Sequence, residues 1–372
     1  MPAGLSVYSF DASFSAMSQL TGVTSAGRGM VGVILPDASP SLRYASFDAP
    51  YLARAFTAAG YTRRQFKIDD ASSTKSELTL AQTDIAAGAR VLIVDPIDGP
   101  TGLAIQALAA GAGIPYVSYD RATFQGTTTY YVSFDNVQVG KLIGQRFEQC
   151  VTDWKVASPQ VFELDGDQVN DPNAVAFAEG YNYVIWDQPF AQVIPPASSS
   201  LGYNFVGEQM VPGWDNNTAQ TVFQTAFTAN PKINSTVEAN DGLANAVITV
   251  LKGAGVKPKT IPTVGQDAIL QAMENILQGY QCGSAYKPIY LEAQAAVAVA
   301  TYLRAGQTPP TALVNGTTTD PTNTITEPAV LLPGSWVNAA NMESTVIKDK
   351  FVSVKDLCAA VGPSVCRAAG IH

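Results

Sequence analysis

Histidine is almost missing from this chain, since the single residue of this type is His372, the last one. Catalytic triads, histidine-ligated metal sites and histidine general bases all need an imidazole, so these classes are nearly excluded. No CxxC pair occurs either, which argues against a zinc site. The chain therefore lacks the side chains that many nucleophilic and metal-dependent enzymes use.

Basic residues and long apolar runs are also scarce. The 22 Lys and Arg against 31 Asp and Glu give a net charge of −9 and a pI of about 4.7. This balance argues against nucleic-acid partners, whose phosphates need a basic face. The sequence contains no stretch of 18 apolar residues and therefore predicts no membrane span. Neither GxGxxG nor GxxxxGK[ST] follows a predicted strand, so nothing here cradles a dinucleotide or nucleotide phosphate, and no cofactor is predicted.

Four cysteines are present, and their positions suggest disulfides. Cys358 and Cys366 lie eight residues apart, a spacing that suits a local disulfide. Cys150 and Cys282 would then form a second pair. An even count is compatible with an oxidising, extracytoplasmic location. Four ordinary buried thiols remain the alternative.

The hydrophobic pattern predicts an α/β protein. Short apolar runs such as residues 30–35 read as buried parallel strands, and they alternate with amphipathic helices such as residues 47–59. The same alternation restarts with a helix at residues 137–150. With 372 residues and 47% hydrophobic composition, the chain is long enough for two domains. We therefore expect two Rossmann-like lobes with parallel sheets.

Two segments do not follow this alternation. The first residues, 1–29, are rich in Ser, Thr and Ala and predict a flexible leader or tether, such as the remnant of an export signal. Residues 308–326 are dominated by Thr, Asn and Pro and predict an extended surface loop.

Charged and amide side chains follow most of the predicted strands. The stretch from Ile114 to Asn136 is the clearest example, because Asp120 and Arg121 end one β-rich run and Asp135 and Asn136 end the next. Ligands of open α/β sheets bind at the carboxyl ends of the strands. The candidate ligand-binding residues are Arg43, Tyr44, Asp120, Arg121, Asp171, Asn173, Trp214, Asn240, Asp267 and Lys287.

The mixture of residue types indicates an uncharged polyol. Carboxylates accept hydrogen bonds from hydroxyl groups, Arg and Lys donate to them, and an aromatic ring covers the C–H face of a sugar. Each residue also has a structural alternative. Asp135, Asp241 and Asp267 suit helix N-caps, Arg121 and Lys287 suit surface ion pairs, and an apolar core suits Trp214. Capping alone does not explain Arg, Lys and Trp at the same strand ends.

Over residues 30–355 the sequence resembles the periplasmic sugar-binding proteins of ABC transporters, of the type I ribose- and xylose-binding kind. The matching blocks are Asp95-Pro96-Ile97-Asp98, Ile114-Pro115 with Tyr119-Asp120-Arg121, Tyr131 to Asn136 with Val139-Gly140, Gly213-Trp214, Asn240-Asp241, Gly265-Gln266-Asp267, Tyr286-Lys287-Pro288 and Val346 to Asp349. Met210 and Tyr44 stand where this family has tryptophans, and the loop from Gly166 to Asn173 is one residue longer. These departures leave the identity of the sugar open.

The resemblance implies a non-enzymatic protein that captures a monosaccharide, a xylose-like pentose or related aldose, between two lobes and delivers it to an ABC permease. It implies an N-terminal lobe of residues 30–130 and 288–327 and a C-terminal lobe of residues 131–287 and 328–372. Arg43, Asp120 and Arg121 would bind the sugar from the first lobe. From the second lobe the sugar contacts would come from Asp171, Asn173, Asn240 and Asp267, with Lys287 at a crossing and Trp214 stacked on the ring.

The same resemblance implies a monomer outside the cytoplasm, either periplasmic or a lipoprotein of a Gram-positive bacterium. Three rival functions remain open. A glycosidase or aldolase would need a positioned acid–base pair, for which Asp120 and Asp267 are available. A sugar-responsive transcription regulator would need a basic helix-turn-helix, which residues 1–29 do not offer. A quorum-signal receptor of the same fold differs only in its ligand.

Overall fold

The computed structural model describes residues 5–36, 43–124, 129–197, 199–320 and 324–372. The chain divides into two units, each made of two segments. The first unit is Met1–Phe134 with Pro288–Leu332, and the second is Asp135–Lys287 with Pro333–His372.

Strands and helices alternate through both units, as the hydrophobic pattern predicts. The strands are β1 (Met30–Pro36), β2 (Phe66–Ala71), β3 (Ala89–Val94), β4 (Tyr116–Tyr119), β5 (Thr129–Phe134), β6 (Gln160–Asp165), β7 (Asn204–Met210), β8 (Ser235–Glu238), β9 (Ser284–Tyr286), β10 (Gly316–Thr319), β11 (Thr326–Leu332) and β12 (Ser335–Val337). The helices are α1 (Thr21–Ala26), α2 (Ala49–Ala58), α3 (Thr74–Ala86), α4 (Gly99–Gly111), α5 (Asn136–Asp153), α6 (Pro172–Trp186), α7 (Asn216–Ala229), α8 (Asp241–Gly253), α9 (Leu270–Gln278), α10 (Ile289–Arg304), α11 (Val354–Val361) and α12 (Pro363–Ala368). Within the described ranges, no helix combines the length and the apolar character needed to cross a membrane.

The first unit is built on a seven-stranded sheet with the order β10-β11-β5-β4-β3-β1-β2. All neighbours are parallel except β10, which pairs antiparallel with β11. Helices cover both faces of such a sheet, which is why residues 31–35 of β1 are apolar and fully buried without alternation. The carboxyl ends of β1, β3 and β4 therefore meet at one edge of this sheet.

The prediction of an extended surface loop over residues 308–326 is wrong for residues 316–319, which form β10, and for Thr326, which begins β11. β10 pairs with β11 from Gly316 opposite Ala329 to Thr319 opposite Thr326. Its threonines are β-branched and suit a half-exposed edge strand, although Thr- and Pro-rich composition resembles that of a loop. Residues 321–323 of the predicted loop lie outside the described residues.

The prediction of a flexible leader over residues 1–29 is wrong for residues 5–29, which pack against the first unit. Phe14, Met17 and Leu20 are buried, and the side chain of Gln294 in α10 donates a hydrogen bond to the carbonyl of Asp11 at 2.9 Å. The apolar residues that anchor this segment are dispersed among serines and threonines, so its average composition hides them. Residues 1–4 of the predicted leader lie outside the described residues.

The second unit contains a three-stranded parallel sheet with the order β7-β6-β8 and a separate antiparallel pair of β12 with β9. The short run at residues 260–264 lies between two helices and fits the strand pattern of the sequence, but it forms no strand. It runs beside β8, where the Thr236 amide donates to the Pro262 carbonyl at 3.0 Å. Pro262 has no amide hydrogen to donate, and the Val264 amide donates to the Glu238 carboxylate at 2.9 Å instead of to a backbone carbonyl.

The chain changes units after Phe134, Lys287 and Leu332. The resemblance placed these crossings after residues 130, 287 and 327. The first and third fall later because β11 pairs with β5 up to Leu332 opposite Phe134, the last residue of each strand. Both strands thus belong wholly to the first unit.

Two disulfides confirm the predicted cysteine pairs. Cys150 at the end of α5 is bonded to Cys282, with 6.0 Å between their Cα atoms. Cys358 in α11 is bonded to Cys366 in α12, with 5.7 Å between their Cα atoms. Both bonds lie within the second unit, and they close loops of very different length.

We expect the long-range disulfide to stabilise the second unit more than the local one. The sequence separations are 132 and 8 residues, and closure of the longer loop restricts the unfolded chain more. Replacing Cys150 and Cys282 with Ala should therefore cost roughly 2 kcal/mol more unfolding free energy than replacing Cys358 and Cys366. Urea unfolding followed by tryptophan fluorescence measures the difference. Equal losses for the two double variants would contradict the loop-length argument.

Candidate functional site

The predicted ligand-binding residues form one group in each unit. In the first unit, Arg43 and Tyr44 follow β1, and Asp120 and Arg121 follow β4. The remaining six lie in the second unit: Asp171, Asn173, Trp214, Asn240, Asp267 and Lys287. Parallel strands deliver the four residues of the first unit to the carboxyl edge of their sheet, and Asp171, Asn173, Trp214 and Asn240 follow the parallel strands β6, β7 and β8. This is the usual ligand-binding edge of an open α/β sheet, whereas Lys287 follows β9 of the antiparallel pair.

Arg43 is the centre of the first group and is held by three carboxylates. Its Nε lies 3.1 Å from Asp48 Oδ2, its NH1 lies 3.1 Å from Asp120 Oδ2, and its NH2 lies 2.7 Å from Glu292 Oε2. Tyr119 donates a hydrogen bond from its hydroxyl to Asp48 Oδ1 at 2.6 Å. We call these five residues the Arg43 network.

Burial and charge act in opposite directions on this network. Burial lowers the pKa of Arg43, but Asp120, Asp48 and Glu292 raise it, and the net result lies well above the usual range. The guanidinium therefore stays charged. Burial raises the pKa of Asp48, while the charge of Arg43 lowers it. The three carboxylates hold the N–H donors of the buried guanidinium in fixed directions. The Arg43 side chain is therefore oriented by the protein itself, without a bound ligand.

Asp120 occupies a strained backbone position. Its φ is 60°, in the left-handed region that non-glycine residues seldom adopt. The Asp120 amide donates to the Val132 carbonyl of β5 at 3.0 Å, and the Tyr131 hydroxyl donates to the Asp120 carbonyl at 2.8 Å. These bonds to the neighbouring strand hold the turn and aim the carboxylate at Arg43.

Arg121 and Tyr44 sit at the same edge with different surroundings. Arg121 donates from NH1 to the Pro96 carbonyl at 3.1 Å and the Ile97 carbonyl at 3.3 Å, so it fastens the loop that follows β3. Its Nε lies 4.0 Å from Asp95 Oδ1. Tyr44 is buried, and the Arg43 guanidinium carbon lies 5.7 Å from its ring centroid. Direct sugar contact by Arg121 and Tyr44 stays a prediction.

Trp214, Asp171 and Asn173 are joined by hydrogen bonds in the second unit. The indole Nε1 donates to Asp171 Oδ2 at 3.0 Å, and the other Asp171 oxygen accepts from the Asn173 amide at 2.9 Å. Asn136 donates from its side chain to Asn173 Oδ1 at 2.8 Å. Asp171 is thus both the N-cap of α6 and the residue that fixes the plane of the indole ring.

The backbone around Trp214 explains how the ring is placed. A Cβ atom on Gly166 would overlap the ring, so the indole lies directly against the backbone that follows β6. Asp167 accepts a hydrogen bond from the Gly213 amide at 2.9 Å, and both Gly213 and Trp214 have positive φ, 62° and 55°. The ring remains partly exposed. Core packing, the structural alternative for Trp214, does not fit this environment.

Lys287 and Asp267 form an ion pair in the same unit, with 3.1 Å from Nζ to Oδ1. The Lys287 side chain is 5% exposed, and its Nζ lies 5.4 Å from the Phe177 ring centroid. Asp267 has a φ of 97° and does not cap a helix through its side chain, because α9 begins after Ile269. The ion pair therefore replaces the cap expected as the alternative for Asp267.

Capping does account for Asn240 and for Asp135. Asn240 Oδ1 accepts from the Leu243 amide at 2.9 Å and caps α8, while its side-chain nitrogen is not used in the cap. Asp135 accepts from the Gln138 amide at 3.1 Å and caps α5. Asp241, by contrast, is fully buried and accepts from Gln281 and Ser284. Burial and then the charge of Asp267 raise the pKa of Asp241 well above its usual range.

Sequence reasoning missed four members of the two groups. Asp48, Tyr119 and Glu292 complete the Arg43 network, and Asn136, which ends a β-rich run but is not among the candidate site residues, supports Asn173. Glu292 carried one signal, since it is the only acidic residue in the alanine-rich helix α10 and is completely buried there. Asp48 carried none.

Among the described residues, no group of three or more His, Cys, Asp or Glu side chains could hold a metal ion.

Two bacterial proteins with similar sequences are named as sugar-binding periplasmic proteins. The D-xylose-binding periplasmic protein of Escherichia coli (strain K12) is 32% identical over 288 residues, covering 76% of this chain and 80% of the relative. The multiple sugar-binding periplasmic protein SbpA of Azospirillum brasilense is 30% identical over 328 residues, covering 85% of this chain and 88% of the relative.

Solved structures share the fold. A carbohydrate transporter solute binding protein from Chloroflexus aurantiacus, in complex with D-glucose, superposes with a TM-score of 0.74 at 24% identity, covering 88% of this chain and 98% of that chain. The family model of the periplasmic binding protein domain matches residues 31–308. The resemblance found in the sequence is thereby confirmed, and this chain belongs to the periplasmic binding protein family.

Proposed function

We propose that this protein is a solute-binding protein that captures a monosaccharide and delivers it to an ABC importer. One observation carries the proposal. In each unit, the segments that follow strands bear hydrogen-bonding groups of both signs in ion pairs, and the second unit adds a partly exposed indole ring. The sugar-binding names of the related proteins support the same function.

The charge arrangement favours a neutral ligand with many hydroxyl groups. The carboxylates of Asp120, Asp171 and Asp267 accept hydrogen bonds from hydroxyls, and the cations of Arg43 and Lys287 donate to them. Hydrogen bonds to charged groups contribute about 1.5–3 kcal/mol each, which suits tight binding of a small polyol. Acidic groups outnumber basic ones at both edges, so a phosphate- or carboxylate-bearing sugar would be repelled.

The ion pairs argue against the rival enzyme. A general acid must hold a proton near the working pH and release it to the substrate. Asp120 lies 3.1 Å from the Arg43 guanidinium and Asp267 lies 3.1 Å from the Lys287 ammonium, so each of the two carboxyl groups is already engaged in an ion pair. We therefore propose that the protein binds its sugar without chemical change.

The remaining proposals concern partner and location. We expect a permease of the ABC importer type to receive the sugar, and the protein itself to act as a monomer. The similar proteins are named as periplasmic, and disulfides persist in oxidising compartments. Both observations support a location outside the cytoplasm. Attachment to the surface of a Gram-positive cell as a lipoprotein is the finer prediction.

Calorimetry with a panel of pentoses and hexoses tests the function. We expect at least one neutral aldose, with D-xylose and D-glucose as first candidates, to bind with a dissociation constant below the millimolar range. Glucose 6-phosphate and glucuronate should bind at least a hundredfold more weakly because of the acidic edges. A folded protein that binds no sugar below the millimolar range would contradict the proposal.

Substitutions at Trp214 and Asp120 test the site assignment. Trp214→Ala removes the stacking ring, and Asp120→Asn removes a charged acceptor and one partner of Arg43. Each should weaken sugar binding by about a hundredfold, equivalent to about 2.7 kcal/mol. Matched controls are Phe190→Ala, an aromatic residue that is 50% exposed, and Asp187→Asn, an exposed helix-end residue. If both site variants bind like their controls, the assignment is wrong.

Glu292→Gln tests whether the Arg43 network positions its guanidinium. Gln keeps the shape of Glu292 but not its charge, so Arg43 loses its 2.7 Å ionic partner and becomes less well oriented. We expect sugar binding to weaken about tenfold, or about 1.4 kcal/mol, by calorimetry.

The control for this variant is Glu238→Gln, which changes another fully buried glutamate. Burial raises the pKa of Glu238 to about 8, so this side chain is mostly protonated at neutral pH and its amide analogue changes little. Unchanged sugar affinity in a folded Glu292→Gln protein would show that Arg43 needs only Asp48 and Asp120.

A further inference from the structure

A surface pocket of about 450 Å³ lies at the opposite edge of the first unit's sheet from the Arg43 network. Residues at the amino ends of β1, β2 and β3 line it, whereas Arg43 and Asp120 follow the carboxyl ends of β1 and β4. A seven-residue parallel strand spans roughly 20 Å, so the two sites are well separated within this unit. The proposed sugar binding does not use this pocket.

Three arginines and three glycines dominate the wall of the pocket. The arginines are Arg28, Arg64 and Arg304, and the glycines are Gly27, Gly29 and Gly88. None of the residues assigned to this wall is acidic. Glycines leave backbone close to the surface, and at Gly27 a Cβ atom would press on the Arg304 side chain. This concentration of positive charge stands out on a chain with a net charge of −9.

Arg304 is a buried cation whose neighbours among the described residues are backbone carbonyls and an aromatic ring. Its residue is 6% exposed, its Nε donates to the Gly29 carbonyl at 2.8 Å, and its NH1 donates to the Thr24 carbonyl at 3.0 Å. Its guanidinium carbon lies 4.9 Å from the Tyr61 ring centroid. Within the described residues it forms no ion pair with a carboxylate. A buried charge normally has a counterion, because removal from water is costly.

Arg28 and Arg64 are exposed and reach the same pocket from two loops. Arg28 follows the end of α1, and Arg64 lies in the turn before β2. In the part of the chain that the structure describes, neither forms an ion pair or a side-chain hydrogen bond. Arg90 contributes further positive charge, since its side chain lies against Gly29.

Neutralisation of helix ends explains only part of this arrangement. The carbonyl end of a helix carries partial negative charge, and Arg304 NH1 donates to the Thr24 carbonyl in the last turn of α1. Arg28 and Arg64 make no such bond to a carbonyl among the described residues. An anion would serve as the counterion of Arg304 and would give these two side chains a partner.

We infer that this pocket binds an oxyanion, most suitably a phosphate group. The planar guanidinium matches the spacing of phosphate oxygens and binds them in bidentate geometry. Arginines alone form the cationic wall, and the glycines allow close approach of the ligand. The phosphate group could belong to a free small molecule or to a lipid headgroup, and the chemistry of recognition is the same.

The test is titration of the full-length protein with inorganic phosphate at constant ionic strength, measured by calorimetry. We expect saturable binding in the low millimolar range or tighter. Arg28→Gln combined with Arg64→Gln should weaken it at least tenfold. Both side chains are exposed, so this variant should fold, and retained sugar binding would show that the first unit is intact. The charge-matched control is Arg146→Gln with Arg367→Gln, two exposed arginines of the second unit.

A second arm identifies the source of the phosphate. The same proteins are sedimented with phosphatidylcholine vesicles that contain either no or 30% phosphatidylglycerol. The site is supported if the pocket variant loses binding and the control does not. Loss of phosphate binding in the first arm indicates a free phosphate ligand, and loss of vesicle binding in the second indicates a lipid headgroup. No saturable binding in either arm, or equal binding by both variants, would overturn the inference whatever the sugar measurements show.

Discussion

The pairing of the buried Arg43 guanidinium with three carboxylates is the constraint that shapes the carboxyl edge of the first unit's sheet. The carboxylates come from three separate parts of the chain: Asp48 in the turn before α2, Asp120 after β4 and Glu292 in α10. A charge removed from water must be paired, so these elements cannot shift independently without exposing an unpaired ion. The same pairing holds the guanidinium ready to donate to a ligand.

In the second unit, a hydrogen bond and close packing orient the Trp214 side chain, where ion pairs orient Arg43 in the first. Trp214 rests on Gly166 and is oriented by Asp171, which in turn caps α6. A helix cap is a local requirement of the backbone, and here the same carboxylate also holds an aromatic ring. The capping role of Asp171 therefore does not exclude the proposed ligand-binding role. The charge balance differs from that at Arg43, since Lys287 has one carboxylate neighbour, Asp267, at 3.1 Å.

The two edges of the first unit's sheet carry opposite electrostatic character. At the carboxyl edge, carboxylates surround and outnumber the cation Arg43. At the amino edge, arginines line a pocket whose wall contains no acidic residue. A parallel sheet separates these edges by the length of its strands, so one domain offers two distinct chemical surfaces. Neutral polyols suit the first edge, and oxyanions suit the second.

The alternation of strands and helices, the local spacing of Cys358 and Cys366 and the place of Asp120 and Arg121 at the end of a strand are visible in the sequence. These features depend on hydrophobic periodicity and short-range spacing, which a single chain displays directly. The pairing of Cys150 with Cys282 spans 132 residues and is inferred from the sequence only by elimination. Packing alone reveals that Glu292 and Asp48 hold Arg43, that residues 5–29 pack on α10, and that the segment at Pro262 is not a strand. Arg43 and Glu292 are 249 residues apart in the chain, and no local pattern specifies a contact that exists only once the helix and the strand loops have packed.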